Sequence, residues 1–219
     1  MDADFWLQRW NEGRIGFHRG EVMPLLEKHW PGLNVPADGR VFVPLAGKSL
    51  DMHWLAAQGH RVLGAELSPL AVQAFFAEAG LEPVVANDAD GVHHRAGPVD
   101  LVQGDVFALS AATLATMAAV YDRAAIIALP PALRRRYVAE VYARLPQGCR
   151  GIHALRPDHR AIGLGYRQIG ARHVFVALRF LGALDRGHIA PRQSLLTLIC
   201  RLALRQYAAG TRHRGLGAG

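Results

Sequence analysis

Glu66 stands 21 positions after Leu45, at the close of an apolar run RVLGAEL (61–67) that follows another, VFVPL (41–45). One helix and one strand fit into roughly 20 residues, so the two runs read as successive parallel strands with a carboxylate at the end of the second. There it is placed to accept charge-assisted hydrogen bonds from both hydroxyls of a ribose. The turn between the runs, PLAGKS (44–49), restricts the ligand. It lacks the Gly-x-Gly-x-x-Gly spacing that closes backbone amides on a pyrophosphate. It also ends like a phosphate-binding loop without that loop's first glycine, since Phe42 stands there. NAD and ATP are poorly served. A nucleoside cofactor without phosphates needs one close backbone approach and the ribose acid, and S-adenosylmethionine is the common one. Two more positions share the predicted rim. Gly104-Asp105 either offers an adenine edge a carboxylate or amide, or is a plain turn; Arg123, after Asp122, is either a site cation or a solvated charge.

These residues need a frame. SLDMHWLAAQG (49–59) places Leu50, Trp54 and Leu55 on one helical face, with Ser49 as cap and Gly59 as stop. Ser68 and Pro69 open a second helix that runs to Gly80, and PVVA (83–86) reads as a third strand. VDLVQGDVFAL (99–109) and VYDRAAIIALP (120–130) supply further strand material, and ALRRRYVAEVYARL (132–145) is a patterned helix. Ahead of them, Trp6, Trp10 and Trp30 with Val22, Leu25 and Leu26 predict two amphipathic helices in residues 1–35. Alternating strands and helices predict an α/β fold with a doubly wound, mostly parallel sheet.

With 219 residues, 51% of them hydrophobic, the chain can bury one sizeable core. Its net charge of +7 is unevenly placed: residues 1–150 sum to −2, whereas residues 151–219 carry 11 Arg, no Lys, no Glu and two Asp, for +9. The first segment has no phosphate-tracking surplus, so nucleic acid is not an expected partner. MDADFW is no export signal, and no run of about 18 apolar residues occurs, which argues against secretion and membrane spanning. Cys149 and Cys200 have no zinc or disulfide spacing, which fits a reducing cytoplasm. No metal is expected. His93-His94, His153, His159, His173, His188 and His213 read as surface histidines, and Arg134-Arg135-Arg136 as a solvated helix start.

Together, FWLQRWNEGRIGFH, VFVPLAGKSLDMHWLAAQGHRVLGAELS, GDVFAL and VYDRAAIIALP resemble the bacterial branch of the thiopurine S-methyltransferase family, from about residue 3 to about residue 150. The resemblance implies a class I S-adenosylmethionine-dependent methyltransferase fold with an N-terminal helical lid over 1–35. It further implies an enzyme that moves the sulfonium methyl to the sulfur of small aromatic or heterocyclic thiols, with selenium and tellurium species as further acceptors; a monomer is expected. Carried over by position, Trp6, Trp10, Leu45, Glu66 and Arg123 contact the cofactor, and Asp105 and Val106 flank its adenine. Phe17 stacks on the acceptor, and Arg123 helps to hold the thiol as its anion.

The family pattern stops at the charge boundary. A Pro-Pro-Phe loop and a closing pair of strands are not legible in residues 152–219. Out-of-frame translation of a GC-rich gene, a divergent basic tail and a lineage-specific domain end each account for that composition. The set Arg192, Arg201 and Arg205 around SLLTLICRLAL also suits a basic amphipathic helix.

Overall fold

The computed structural model describes residues 3–155 and 173–177. In chain order these form α1 (Ala3–Asn11), α2 (Pro24–His29), β1 (Arg40–Pro44), α3 (Leu50–Ala57), β2 (Arg61–Glu66) and α4 (Pro69–Glu78). There follow β3 (Val84–Asp88), β4 (Gly91–Ala96), β5 (Val99–Gln103), α5 (Ala111–Leu114), β6 (Ala119–Arg123), α6 (Ala125–Ala128), α7 (Pro131–Glu140), β7 (Arg150–Leu155) and β8 (His173–Ala177). The strands make one sheet in the order β3-β4-β5-β2-β1-β6-β7-β8. All neighbours from β5 to β8 are parallel, and the strand order reverses between β1 and β6.

Alternation along each strand sends side chains to opposite faces, and both faces are covered. Phe42, Leu63, Val102 and Val120 belong to a core with Tyr137 and Val138 of α7. Their chain neighbours Val41, Val43, Val62, Leu101 and Tyr121 pack on the other side with Leu26 of α2, Met52 and Leu55 of α3 and Phe75 of α4. The centre is tight at Gly64 of β2, where an added Cβ would come within 2.5 Å of a Leu101 methyl and 2.8 Å of the Met52 sulfur. Glycine is required there for close approach.

Several expectations are corrected. The third strand is not parallel: β3 turns back into β4, an antiparallel hairpin on the sheet's edge. His93 of β4 is buried rather than a surface residue, because its two ring nitrogens lie 3.0 Å from an Asp88 oxygen and 2.8 Å from an Asp100 oxygen. His153 is buried too, 3.3 Å from the Tyr142 hydroxyl. Strand β5 stops at Gln103 and β6 at Arg123, so the second halves of 99–109 and 120–130 are helical turns rather than strand. Arg134 donates to the Leu129 carbonyl at 2.8 Å and so ties α7 to the segment before it. Strand β7 begins at Arg150 and spans the 150/151 boundary, so the change in charge falls inside the sheet. The expected helix around 194–204, His159, His188, His213 and Cys200 lie outside the described residues.

Burial of Cys149 pushes its thiol up to about 12. A free cysteine is partly thiolate at pH 8, and this one is not. Alkylation at pH 8 followed by peptide mapping should leave Cys149 unmodified in native protein and modify it fully in urea; rapid native labelling would contradict that burial.

Candidate active site

The carboxyl ends of β1, β2, β5 and β6 open on one side of the sheet, at the reversal of strand order where open α/β sheets place ligands. There the chain leaves β1 through Leu45, with φ +47°, and leaves β6 through Ala124, with φ +64°. Neither is glycine, so each turn holds a backbone shape that costs on the order of 1 kcal/mol and persists only because its surroundings fix it. Gly47, at φ +56°, completes the first turn, and an added Cβ would meet the Trp10 ring at 3.3 Å.

Glu66 stitches this turn to β2. One carboxylate oxygen accepts from the Gly47 amide at 2.8 Å and the other from the Ser68 amide at 2.8 Å. Burial raises its pKa, and the amides of Ser68, Gly47 and Leu67 pull against that rise. Each oxygen keeps a further lone pair for a ligand. Asp105 accepts from the Phe107 amide at 3.0 Å, so its carboxylate shapes its own turn, and Val106 beside it is buried.

The N-terminal segment closes the other wall. Phe17 meets Trp6 and Trp10 edge-on, with centroids 5.3 and 5.6 Å apart. From β6, Arg123 donates to the Phe17 carbonyl at 3.3 Å and sets its Nε 3.4 Å from an Asp51 oxygen. The Trp6 indole N–H is buried and has no partner among the described residues, a donor left for a ligand.

All eight residues singled out in the sequence, Trp6, Trp10, Phe17, Leu45, Glu66, Asp105, Val106 and Arg123, line one cavity of about 280 Å³. Others on its wall were missed. His18 and Lys48 sit near Phe17 and Gly47, and Lys48 pairs with Glu78 of α4. Arg136, expected to be simply solvated, stacks its guanidinium 4.2 Å from the Phe107 ring and reaches the cavity rim. Its signal was the three-residue offset from Leu133, which places both on the same side of α7. At the hairpin, Asp88, Asp90 and His93 approach one another, but Asp90 is already held by Ser110 and Thr113, and His93 by Asp88 and Asp100.

The mostly parallel sheet, with its reversal point and the cavity beside it, is that of a class I S-adenosylmethionine-dependent methyltransferase, with S-adenosylmethionine as methyl donor. Comparison with known proteins narrows this. The profile of the family described as Thiopurine S-methyltransferase (TPMT) matches residues 1–155, and the chain belongs to that family. A thiopurine S-methyltransferase of Xanthomonas campestris pv. campestris is 62% identical over 152 residues, 69% of this chain and 70% of that protein. One from Bordetella parapertussis is 64% identical over 152 residues, 69% of each chain. Among solved structures, a TehB-like S-adenosylmethionine-dependent methyltransferase of Corynebacterium glutamicum aligns at 16% identity and TM-score 0.44, over 68% of this chain and 70% of its own. No helix among the described residues is long and apolar enough to cross a membrane.

Proposed function

We propose that this methyltransferase acts on the sulfur of small aromatic or heterocyclic thiols, with selenium and tellurium species as further acceptors. The observation that carries the reading is the convergence of Phe17, Glu66 and Arg123 on one cavity under the aromatic lid. In this reading Glu66 takes the ribose hydroxyls, Asp105 and Val106 border the adenine, and Trp6, Trp10 and Leu45 wall the rest of the cofactor. The cavity's fit to that cofactor is supported by the free Trp6 N–H and the close approach allowed at Gly47.

The bound cofactor supplies an electrophilic methyl on sulfur. The chain supplies position and charge. Phe17 offers a ring face on which a flat acceptor stacks, which costs little side-chain freedom. Arg123 favours the thiolate, the nucleophilic form, by placing a cation beside it; a guanidinium holds charge without exchanging a proton, so its contribution is electrostatic. The lid excludes water and aligns sulfur with the methyl, which an in-line displacement requires.

A second reading has its own observation. The family match ends at residue 155, after which the composition turns basic, which supports a product that binds cofactor yet turns over poorly. Calorimetry with S-adenosylmethionine, run beside transfer of its labelled methyl to 2-mercaptobenzoate, separates the two. Binding with turnover is expected; binding alone favours the second reading, and neither would sink both.

A further inference from the structure

Asp51 is a carboxylate with no cap to make. Ser49 already caps α3, accepting from the Asp51 amide, and the Asp51 side chain turns inward, 2% exposed. A charge so buried is costly unless paired and fully hydrogen-bonded. Three donors from two distant parts of the chain meet it. The Met23 amide, just ahead of α2, donates to one oxygen at 2.8 Å. The Tyr121 hydroxyl of β6 donates to the other at 2.9 Å, and Arg123 Nε lies 3.4 Å from that same oxygen. Arg123 is the only cation paired with Asp51 among the described residues.

We propose that Asp51 is a positioning residue for the methyl acceptor, acting through Arg123. The inference rests on the reading of Arg123 as the acceptor-facing cation. A guanidinium is a planar fork, so fixing its Nε edge on Asp51 and one terminal nitrogen on the Phe17 carbonyl decides which N–H groups remain for the cavity. Without the carboxylate the side chain keeps one tether of a neutral carbonyl and can swing. Tyr121 stiffens the arrangement from below: burial first, and then the Asp51 charge, push its phenol well above the ordinary range, so it stays a donor. The pairing joins residues 51 and 123, on neighbouring elements of opposite sides of the first turn, to the lid at residue 17. Asp51 itself does not line the cavity, so the effect reaches the acceptor only through Arg123.

The test is a double-mutant cycle on the full chain. Asp51→Asn keeps an oxygen for the Met23 amide and loses the charge that holds Arg123. Affinity for 2-mercaptobenzoate, measured by calorimetry in the presence of S-adenosylhomocysteine, should fall about tenfold in Asp51→Asn, about 1.4 kcal/mol. Affinity for S-adenosylhomocysteine itself should stay within about threefold. In the Arg123→Ala background the same Asp51 change should cost less than twofold, because contacts acting through one residue are not additive. Equal losses on both backgrounds, or no loss in the wild-type background, overturn the proposal. If Arg123→Ala leaves acceptor affinity unchanged, the reading of Arg123 fails and this one with it. Should Asp51→Asn not fold, Tyr121→Phe takes its place, with an expected two- to fivefold loss that vanishes beside Arg123→Ala; persistence of that loss counts against the proposal.

Discussion

Glu66→Gln should weaken S-adenosylmethionine binding by roughly ten- to a hundredfold, the consequence of losing about 1.5–3 kcal/mol for hydrogen bonds to a charged acceptor. Two effects add. The ribose hydroxyls meet a neutral amide instead of a carboxylate, and one of the two backbone donors, Gly47 or Ser68, faces an NH₂ group where an oxygen had been. The first turn then loosens exactly where the cofactor approaches. Wild-type affinity should also fall on acidification earlier than an ordinary glutamate would predict, because burial raises this carboxyl. The glutamine variant should lack that dependence. The linkage has a definite sign: a carboxyl raised in the folded state favours folding below its unfolded pKa, and that contribution is lost as pH rises through the folded value. Ionising Glu66 therefore removes a contribution to folding that its buried, protonated form makes at acid pH. Calorimetry from pH 5 to 8 checks all of this; unchanged affinity with an intact fold would remove Glu66 from the site.

Arg123→Ala should lower turnover of 2-mercaptobenzoate by up to a hundredfold and cofactor affinity far less. An anionic acceptor loses a charge-assisted partner of about 1.5–3 kcal/mol, and the thiol ionises less readily without the cation. The change also strands the buried Asp51 carboxylate, for which the loss of stability is about 3 kcal/mol. Melting temperature must be followed beside kinetics, so that turnover is compared at equal folded fraction. Arg123→Lys should restore stability better than turnover, since an ammonium can neutralise Asp51 but cannot reach Asp51 and Phe17 in one plane. Equal turnover in wild type and the alanine variant would end Arg123's role.

The legible parts of this protein are those set by local spacing. The interval from Leu45 to Glu66 reflects one helix and one strand, and Ser49 and Ser68 cap their helices where hydroxyls before apolar runs predict. The β3-β4 hairpin escaped because all of β3 is exposed and GVHHRA carries little apolar alternation; its pairing is written in backbone hydrogen bonds, which have no letter in the sequence. Asp51 was missed for a different reason. Its partners Met23, Tyr121 and Arg123 lie 28 to 72 positions away in the chain, and nothing in SLDMHW announces that one acidic residue of the first helical turn faces inward. The same holds for Arg136, whose stacking on Phe107 depends on how α7 docks.

Leu45 and Ala124 hold left-handed turns on either side of the point where the strand order reverses. Such turns do not form on demand; they are fixed by the sheet before any ligand arrives. The floor of the cavity is therefore preorganised, and the ligand spends little ordering entropy there. The opposite wall is joined to that floor through side chains instead: Trp6, Trp10 and Phe17 meet edge-on, and Arg123 reaches from β6 to the Phe17 carbonyl.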